Sequence, residues 1–203
     1  MDFKKLKSGS DVRGVALGEN TVLTPAVAET LGRAFVAYLS QKLSKKPEQL
    51  TVAVGRDSRL SGPQLLQAVL EGITSTGATT ADYEMCTTPA MYMAILTEGF
   101  QPDASIMITA SHHPWYLNGL KFFTKEGGLG FHELDEVLAI AQDLPAAEKS
   151  GHSGSVLHMP FLPTYQKHLQ DLIIEGVDPE VQKPLLGLHV VVDAGNGAGG
   201  FYA

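Results

Sequence analysis

Cysteine is almost missing from this sequence: Cys86 is the one cysteine in 203 residues. A single thiol excludes an internal disulfide framework and a cysteine-ligated zinc site, and it points to a reducing, cytoplasmic compartment. Cys86 itself reads as a small buried hydrophobe. Basic residues are also short, 15 Lys and Arg against 22 Asp and Glu, for a net charge of −7. That balance leaves no broad cationic surface for nucleic-acid phosphates, although a local basic pocket fits within it. No apolar run approaches the ~20 residues of a membrane span, and residues 1–7 lack the apolar stretch of a secretory signal. At 44% hydrophobic and 18% charged residues, the composition excludes a disordered or collagen-like chain.

What is present is a repeated alternation. Thr24-Pro25 predicts a helix start, followed by periodic Val27, Leu31, Ala34, Phe35, Tyr38 and Leu39. Thr51 to Val54 predicts a strand running into Gly55-Arg56-Asp57-Ser58-Arg59, and Ser61-Gly62-Pro63 opens a helix through Ile73. A second strand is predicted from Gly77 to Tyr83, a third helix from Thr88-Pro89 through Ile95, and a third strand from Ala104 to Thr109. A glycine-rich turn, Gly127-Gly128-Leu129-Gly130, precedes a helix from His132 to Ala141. Strands alternating with helices of this length imply an α/β fold, a mixed, mostly parallel sheet flanked by helices.

The segment from Pro145 to Pro163 carries Lys149, Ser150, Gly151, Ser153, Gly154 and Ser155 and reads as a linker. The expected division is a domain over 1–150 and, over 151–203, the linker, a helix from Tyr165 to Glu175 and the first strand of an incomplete second domain of similar type. That strand, Leu188 to Val192, leads into Asp193-Ala194-Gly195-Asn196-Gly197-Ala198-Gly199-Gly200. A buried strand needs neighbours for its hydrogen bonds, so a C-terminal continuation is expected.

The chemistry concentrates in Ile106-Met107-Ile108-Thr109-Ala110-Ser111-His112-His113-Pro114, where an apolar strand empties into hydroxyl groups and two imidazoles. Functional groups of open α/β sheets collect beyond the carboxyl ends of the strands, and turn N–H groups there can face an anion. A strand-end serine can equally cap a turn. Three other segments favour function. Asn118-Gly119 is a turn signal that would fold Lys121 back toward Ser111. Arg56 and Arg59 flank Asp57, equipment for holding an oxyanion or bracing a loop. Ser10-Asp11-Val12-Arg13-Gly14 adds a further arginine.

In order, these segments resemble the α-D-phosphohexomutase family, the phosphoglucomutases and phosphomannomutases. Thr109-Ala110-Ser111-His112-His113-Pro114 is similar to the family's Thr-Ala-Ser-His-Asn-Pro phosphoserine loop, and Asn118-Gly119-Leu120-Lys121 follows at the family's spacing. Gly55-Arg56-Asp57-Ser58-Arg59-Leu60-Ser61-Gly62 is similar to its Gly-Arg-Asp-Thr-Arg-x-Ser-Gly, and Asp11-Val12-Arg13-Gly14 to its Asp-Ile-Arg-Gly. Thr87-Thr88-Pro89 and the 192–199 segment also sit where the family has similar residues.

The resemblance implies a mutase that interconverts hexose 1-phosphate and hexose 6-phosphate. Ser111 would carry the phosphoryl group, and a bisphosphate would be the intermediate. Lys121 and Arg13 would serve in acid/base work and substrate binding, His112 would orient the phosphoserine, and Asn118 would contact the substrate. Arg56, Asp57, Arg59 and His113 would support the loop. Mg²⁺ would be the cofactor, held through the phosphate on Ser111. The implied partners are a sugar phosphate and the missing C-terminal domains, with neither nucleic acid nor membrane. His113 departs from the family's usual Asn, and Leu117 from its Tyr or Asp. The family's metal loop, its sugar-recognition segment and its C-terminal phosphate segment have no match in these residues, so this chain alone is expected to be inactive.

Two other readings stand beside this one. Gly195-Asn196-Gly197-Ala198-Gly199-Gly200 satisfies G-x-G-x-x-G after the predicted strand and would suit a dinucleotide-binding oxidoreductase if a helix and an acidic residue about 20 positions on followed it. A truncated mutase domain could also be a non-catalytic module. A serine hydrolase lacks its Gly-x-Ser-x-Gly elbow.

Overall fold

A computed structural model describes residues 2–145 and 154–202. Its sheet comprises β1 (Lys7–Ser8), β2 (Asp11–Val15), β3 (Thr51–Arg56), β4 (Thr79–Met85), β5 (Ala104–Ile108), β6 (Leu117–Thr124), β7 (Gly127–Gly128) and β8 (Val156–His158). The order is β1-β2-β6-β5-β3-β4-β8, with β7 paired to β6. Strands β5, β3, β4 and β8 run parallel, as the strand-helix alternation implies. Strands β1, β2, β6 and β7 add an antiparallel half.

Alternate residues of a strand serve opposite faces, and the two faces carry separate cores. Helices α1 (Pro25–Leu43), α2 (Gly62–Ser75) and α4 (Phe131–Asp143) bring Leu31, Phe35, Ile73 and Leu138 onto Val52, Val54, Ile106 and Phe122. On the other face, Met91 of α3 (Thr88–Leu96) and Tyr165 of α5 (Leu162–Val177) cover Ala53, Ala81, Tyr83 and Met107. The result is an α/β/α sandwich. Helix α1 starts as its sequence implies: Thr24 Oγ1 accepts the Val27 N–H at 3.3 Å and Pro25 occupies the first turn.

Helices α1 and α4 are tied by one carboxylate. Glu133 accepts from Tyr38 at 2.9 Å, from the Gly130 N–H at 2.8 Å and from Lys42. The Gly130 N–H, then Lys42, hold its pKa down at about 2, against an ordinary 4.5. A depressed carboxyl pKa gives stability that is complete above 4.5 and is lost as pH falls toward 2. An acid titration of Glu133→Gln, followed by circular dichroism, is therefore expected to lose stability less steeply across that window than the parent. Equal slopes would contradict the role of this carboxylate.

Three expectations meet a different outcome. Leu188 to Val192 forms no strand: Val190, Val191 and Val192 are 64%, 83% and 60% exposed. The apolar run has strand composition, but no neighbouring strand among the described residues supplies its ladder. The Gly154-Ser155 end of the expected linker is built into the sheet. Gly154 N donates to Thr74 O at 2.8 Å, Thr80 N to Ser155 O at 2.8 Å, and β8 pairs with β4. Glycine is required at 154 because a Cβ would lie 1.8 Å from Ala78 O; close approach, rather than flexibility, selects it. Lys149, Ser150, Gly151, Ser153 and the boundary near 150 lie outside the described residues. Finally, Gly195 to Gly200 follows no strand and leads into a 3-10 helix, Ala198–Tyr202, so the dinucleotide fingerprint lacks its structural context.

Candidate active site

From β3 the chain passes through α2 to β4 on one side, and from β4 through α3 to β5 on the other side of β3. β3 thus leads on to β4 on one side and its neighbour β5 leads on to β6 on the other, so the connections of these adjacent strands diverge. Ligand crevices of open α/β sheets form at such a switch point, outside the carboxyl ends of the strands. The segments emerging there are Asp57 to Ser61 and Thr109 to Tyr116, held together at their root by Asp57 N donating to Ile108 O at 3.0 Å.

Ser111 sits exposed at the bend with φ 54°, a left-handed conformation that costs a non-glycine residue about 1–2 kcal/mol. Its surroundings impose that conformation. Thr109 Oγ1 donates to Asp57 Oδ2 at 2.6 Å and accepts the Ser111 N–H at 3.0 Å. Arg59 reaches across the crevice with both terminal nitrogens. One donates to Pro114 O at 2.7 Å and Leu117 O at 3.0 Å, the other to Ser111 O at 2.7 Å and His113 O at 2.8 Å. Asp57 fixes that guanidinium, accepting from Arg59 Nε at 3.2 Å and from its backbone N–H at 3.1 Å. Arg56 in turn donates to Asp57 O at 3.0 Å. The Ser111 hydroxyl is left facing outward, 3.5 Å from His112 Nδ1, and the His112 and His113 rings stack at 4.9 Å.

A second cationic group approaches from β2 and β6. Asp11 and Arg13 are two residues apart on β2 and so share a face. Arg13 Nη2 donates to Asp11 Oδ2 at 3.0 Å, its Nη1 donates to Thr109 O, and Lys121 Nζ donates to the same Asp11 oxygen. Burial pulls the Arg13 guanidinium below the usual arginine value, helped by the charge of Arg59 and opposed by Asp11 and Asp57. Arg13, Arg59 and Lys121 thus stand among two carboxylates, Asp11 and Asp57, and Arg13 reaches the root of the Ser111 loop at Thr109.

The Asn118-Gly119 pair is no turn. It lies inside β6, paired with Gly14 and Arg13 of β2, and the reversal falls earlier, where Leu117 N donates to Pro114 O at 3.0 Å. Lys121 accordingly meets Asp11 instead of folding back onto Ser111. Asn118, expected at the substrate, is fully buried, and its amide nitrogen donates to Ser61 Oγ at 2.9 Å. Gly119 makes room for Arg13: a Cβ would stand 2.2 Å from Val12 O and 2.4 Å from Arg13 Nη1. Gly119→Ala must push β2 away from β6, so a loss of roughly 1–3 kcal/mol is expected, with a lowered melting temperature as the readout. An unchanged melt would contradict this packing.

Asp11 and Thr109, the hubs of the two networks, were quoted in sequence motifs but given no role by sequence reasoning. The spacing of Asp11 and Arg13 on one strand face was the available signal. The cleft itself measures about 600 Å³, and its lining includes Ser111, His113, Trp115, Thr87, Thr88 and Asn196. Among the described residues no group of three or more His, Cys, Asp or Glu could hold a metal ion. Mg²⁺ seeks about six oxygens, so these side chains do not make a magnesium site by themselves.

The chain is thus an α/β/α domain with an exposed, braced hydroxyl at the carboxyl ends of its parallel strands. Residues 4–146 match the family model described as phosphoglucomutase/phosphomannomutase, alpha/beta/alpha domain I, and the chain belongs to that family. It is 37% identical over 201 residues to a phosphoglucosamine mutase from Pediococcus pentosaceus, covering 96% of this chain and 41% of the relative. It is 32% identical over 195 residues to a phosphoglucomutase from Neisseria gonorrhoeae, covering 95% and 38%. A solved phosphoglucomutase/phosphomannomutase family protein from Burkholderia thailandensis superposes with a TM-score of 0.69 at 27% identity, over 84% of this chain and 36% of that one. The chain thus spans about two fifths of the length of these curated relatives.

Proposed function

We propose that this chain is the phosphoserine-carrying part of a cytoplasmic mutase that interconverts hexose 1-phosphate and hexose 6-phosphate. The observation that carries this reading is the Ser111 hydroxyl, presented outward at a left-handed bend whose carbonyls are clamped by Arg59. Phosphoserine at 111 would give its phosphoryl group to the free hydroxyl of a hexose monophosphate. The P–Oγ bond breaks, a P–O bond to the sugar forms, and the proton of the sugar hydroxyl passes by way of the acid/base group to Ser111 Oγ. After the bisphosphate turns over, its other phosphoryl group returns to Ser111. Such transfers depend on position and on charge stabilisation.

Arg13 supports that charge, and Lys121 serves as the acid/base group, because an amine gives up its proton more readily than a guanidinium. His112 orients the phosphoserine. Mg²⁺ at the phosphorylated serine would take one oxygen there and further ligands from outside the described residues. Glucosamine and glucose phosphates, the sugars in the relatives' names, are the first substrates to test, with further mutase domains as partners of this one.

The test is a half-reaction. Incubated with hexose 1,6-bisphosphate and Mg²⁺, the whole mutase of which this chain is proposed to be a part is expected to release one hexose monophosphate per polypeptide and to retain one phosphate. Bisphosphate that remains intact would overturn the reading in favour of a non-catalytic module.

A further inference from the structure

We infer that Trp115 is a stacking platform for the pyranose ring of a phosphosugar, a positioning residue one loop step from the reacting hydroxyl; the inference rests on the phosphoserine reading above. Trp115 is the single tryptophan of the chain and is 65% exposed, although burying so large an aromatic side chain is among the strongest stabilising contributions open to a fold. It is exposed on the wall of the same cleft as Ser111 and His113.

The loop that carries it is nevertheless fixed. On one side Pro114 O accepts from Arg59 at 2.7 Å. On the other, Tyr116 O accepts from Ala16 N at 2.8 Å and Leu17 N at 3.2 Å, and Leu117 O accepts from Arg59 at 3.0 Å. The Tyr116 ring meets the indole edge-on, with centroids 5.8 Å apart. Backbone pinned at 114, 116 and 117 leaves the indole open to the cleft at little further ordering cost, which is the condition for a preorganised ligand contact.

The chemistry selects the ligand. A hexopyranose phosphate has a charged end and a ring whose C–H faces are apolar while its hydroxyls point outward. Arg59 lines the same cleft and supplies positive charge there, and the indole supplies a flat apolar surface beside it. Pockets that combine a few placed polar groups with an aromatic wall are the usual build for small polar ligands.

Because Trp115 is the one indole present, its fluorescence reports on this contact directly. Titrating the chain with glucose 1-phosphate at millimolar concentrations is expected to shift and quench the emission saturably, while inorganic phosphate leaves it unchanged. In parallel, the ³¹P resonance of the sugar phosphate is followed with the parent, Trp115→Phe and Trp115→Ala chains. Phe is expected to keep the affinity within about twofold and Ala to weaken it roughly tenfold, the scale of one aromatic contact. If the ³¹P signal responds while the emission does not, or if Ala binds like the parent, the stacking inference fails and the phosphoserine reading stands. If neither signal responds, the stacking inference fails and the phosphoserine reading is decided by the half-reaction. An emission change that follows protein concentration instead of sugar phosphate would assign Trp115 to contact between chains and overturn the inference.

Discussion

Ser111→Ala is expected to abolish phosphate uptake from a hexose bisphosphate, a rate loss on the order of 10⁶-fold, the scale seen when a nucleophilic serine is removed. The fold is expected to be indifferent, because the side chain is exposed and, among the described residues, its hydroxyl makes only the 3.5 Å contact with His112. Ser111→Gly sharpens the separation. Glycine adopts φ 54° without the left-handed cost of about 1–2 kcal/mol, against about 0.5–1 kcal/mol lost through a more flexible unfolded chain. A glycine protein should thus melt at or slightly above the parent temperature while taking up no phosphate. Retained uptake in either variant, or a melt many degrees lower for glycine, would contradict the assignment.

Arg59→Ala should damage both stability and function. The guanidinium is only 11% exposed and the Asp57 carboxylate beside it 17%, and four carbonyls of the Ser111 loop depend on it. Removing one partner of a nearly buried pair costs about 3 kcal/mol or more. For a chain of this size that corresponds to a melting temperature lower by roughly 6–12 °C, and the half-reaction should slow as Ser111 loses its imposed geometry. Arg59→Lys is expected to recover little of either, because an ammonium cannot span carbonyls on two sides as a planar fork does. A lysine variant with parental melting and parental rate would show that the fork geometry is immaterial.

The contrast between what the sequence disclosed and what it concealed has physical causes. The helices from Pro25, Gly62, Thr88 and Phe131 and the strands at β3, β4 and β5 were legible because their apolar spacing matches burial on one helix stripe or on both sheet faces. Ser111, Arg59 and Asp57 were legible as residue types placed at strand ends. Asn118-Gly119 misled because the same dipeptide serves turns and close approach: here Gly119 admits Arg13 and Asn118 bonds Ser61. Gly154 misled in the same way, its missing Cβ needed beside Ala78 O rather than for a flexible joint. The run Leu188 to Val192 has the composition of a strand, but pairing is a non-local property that no single segment contains. The joining of Lys121 to Arg13 through Asp11 depends likewise on the register of β2 against β6.

The most direct measurement is to map the phosphate. After incubation with hexose 1,6-bisphosphate and Mg²⁺, the whole mutase of which this chain is proposed to be a part is digested and its peptides are fragmented in a mass spectrometer. One phosphate is predicted, on the peptide spanning the 109–114 loop and localised to Ser111, with Ser58, Ser61 and Thr109 unmodified. Phosphate on any other residue, or on none, would contradict Ser111 as the phosphoryl carrier.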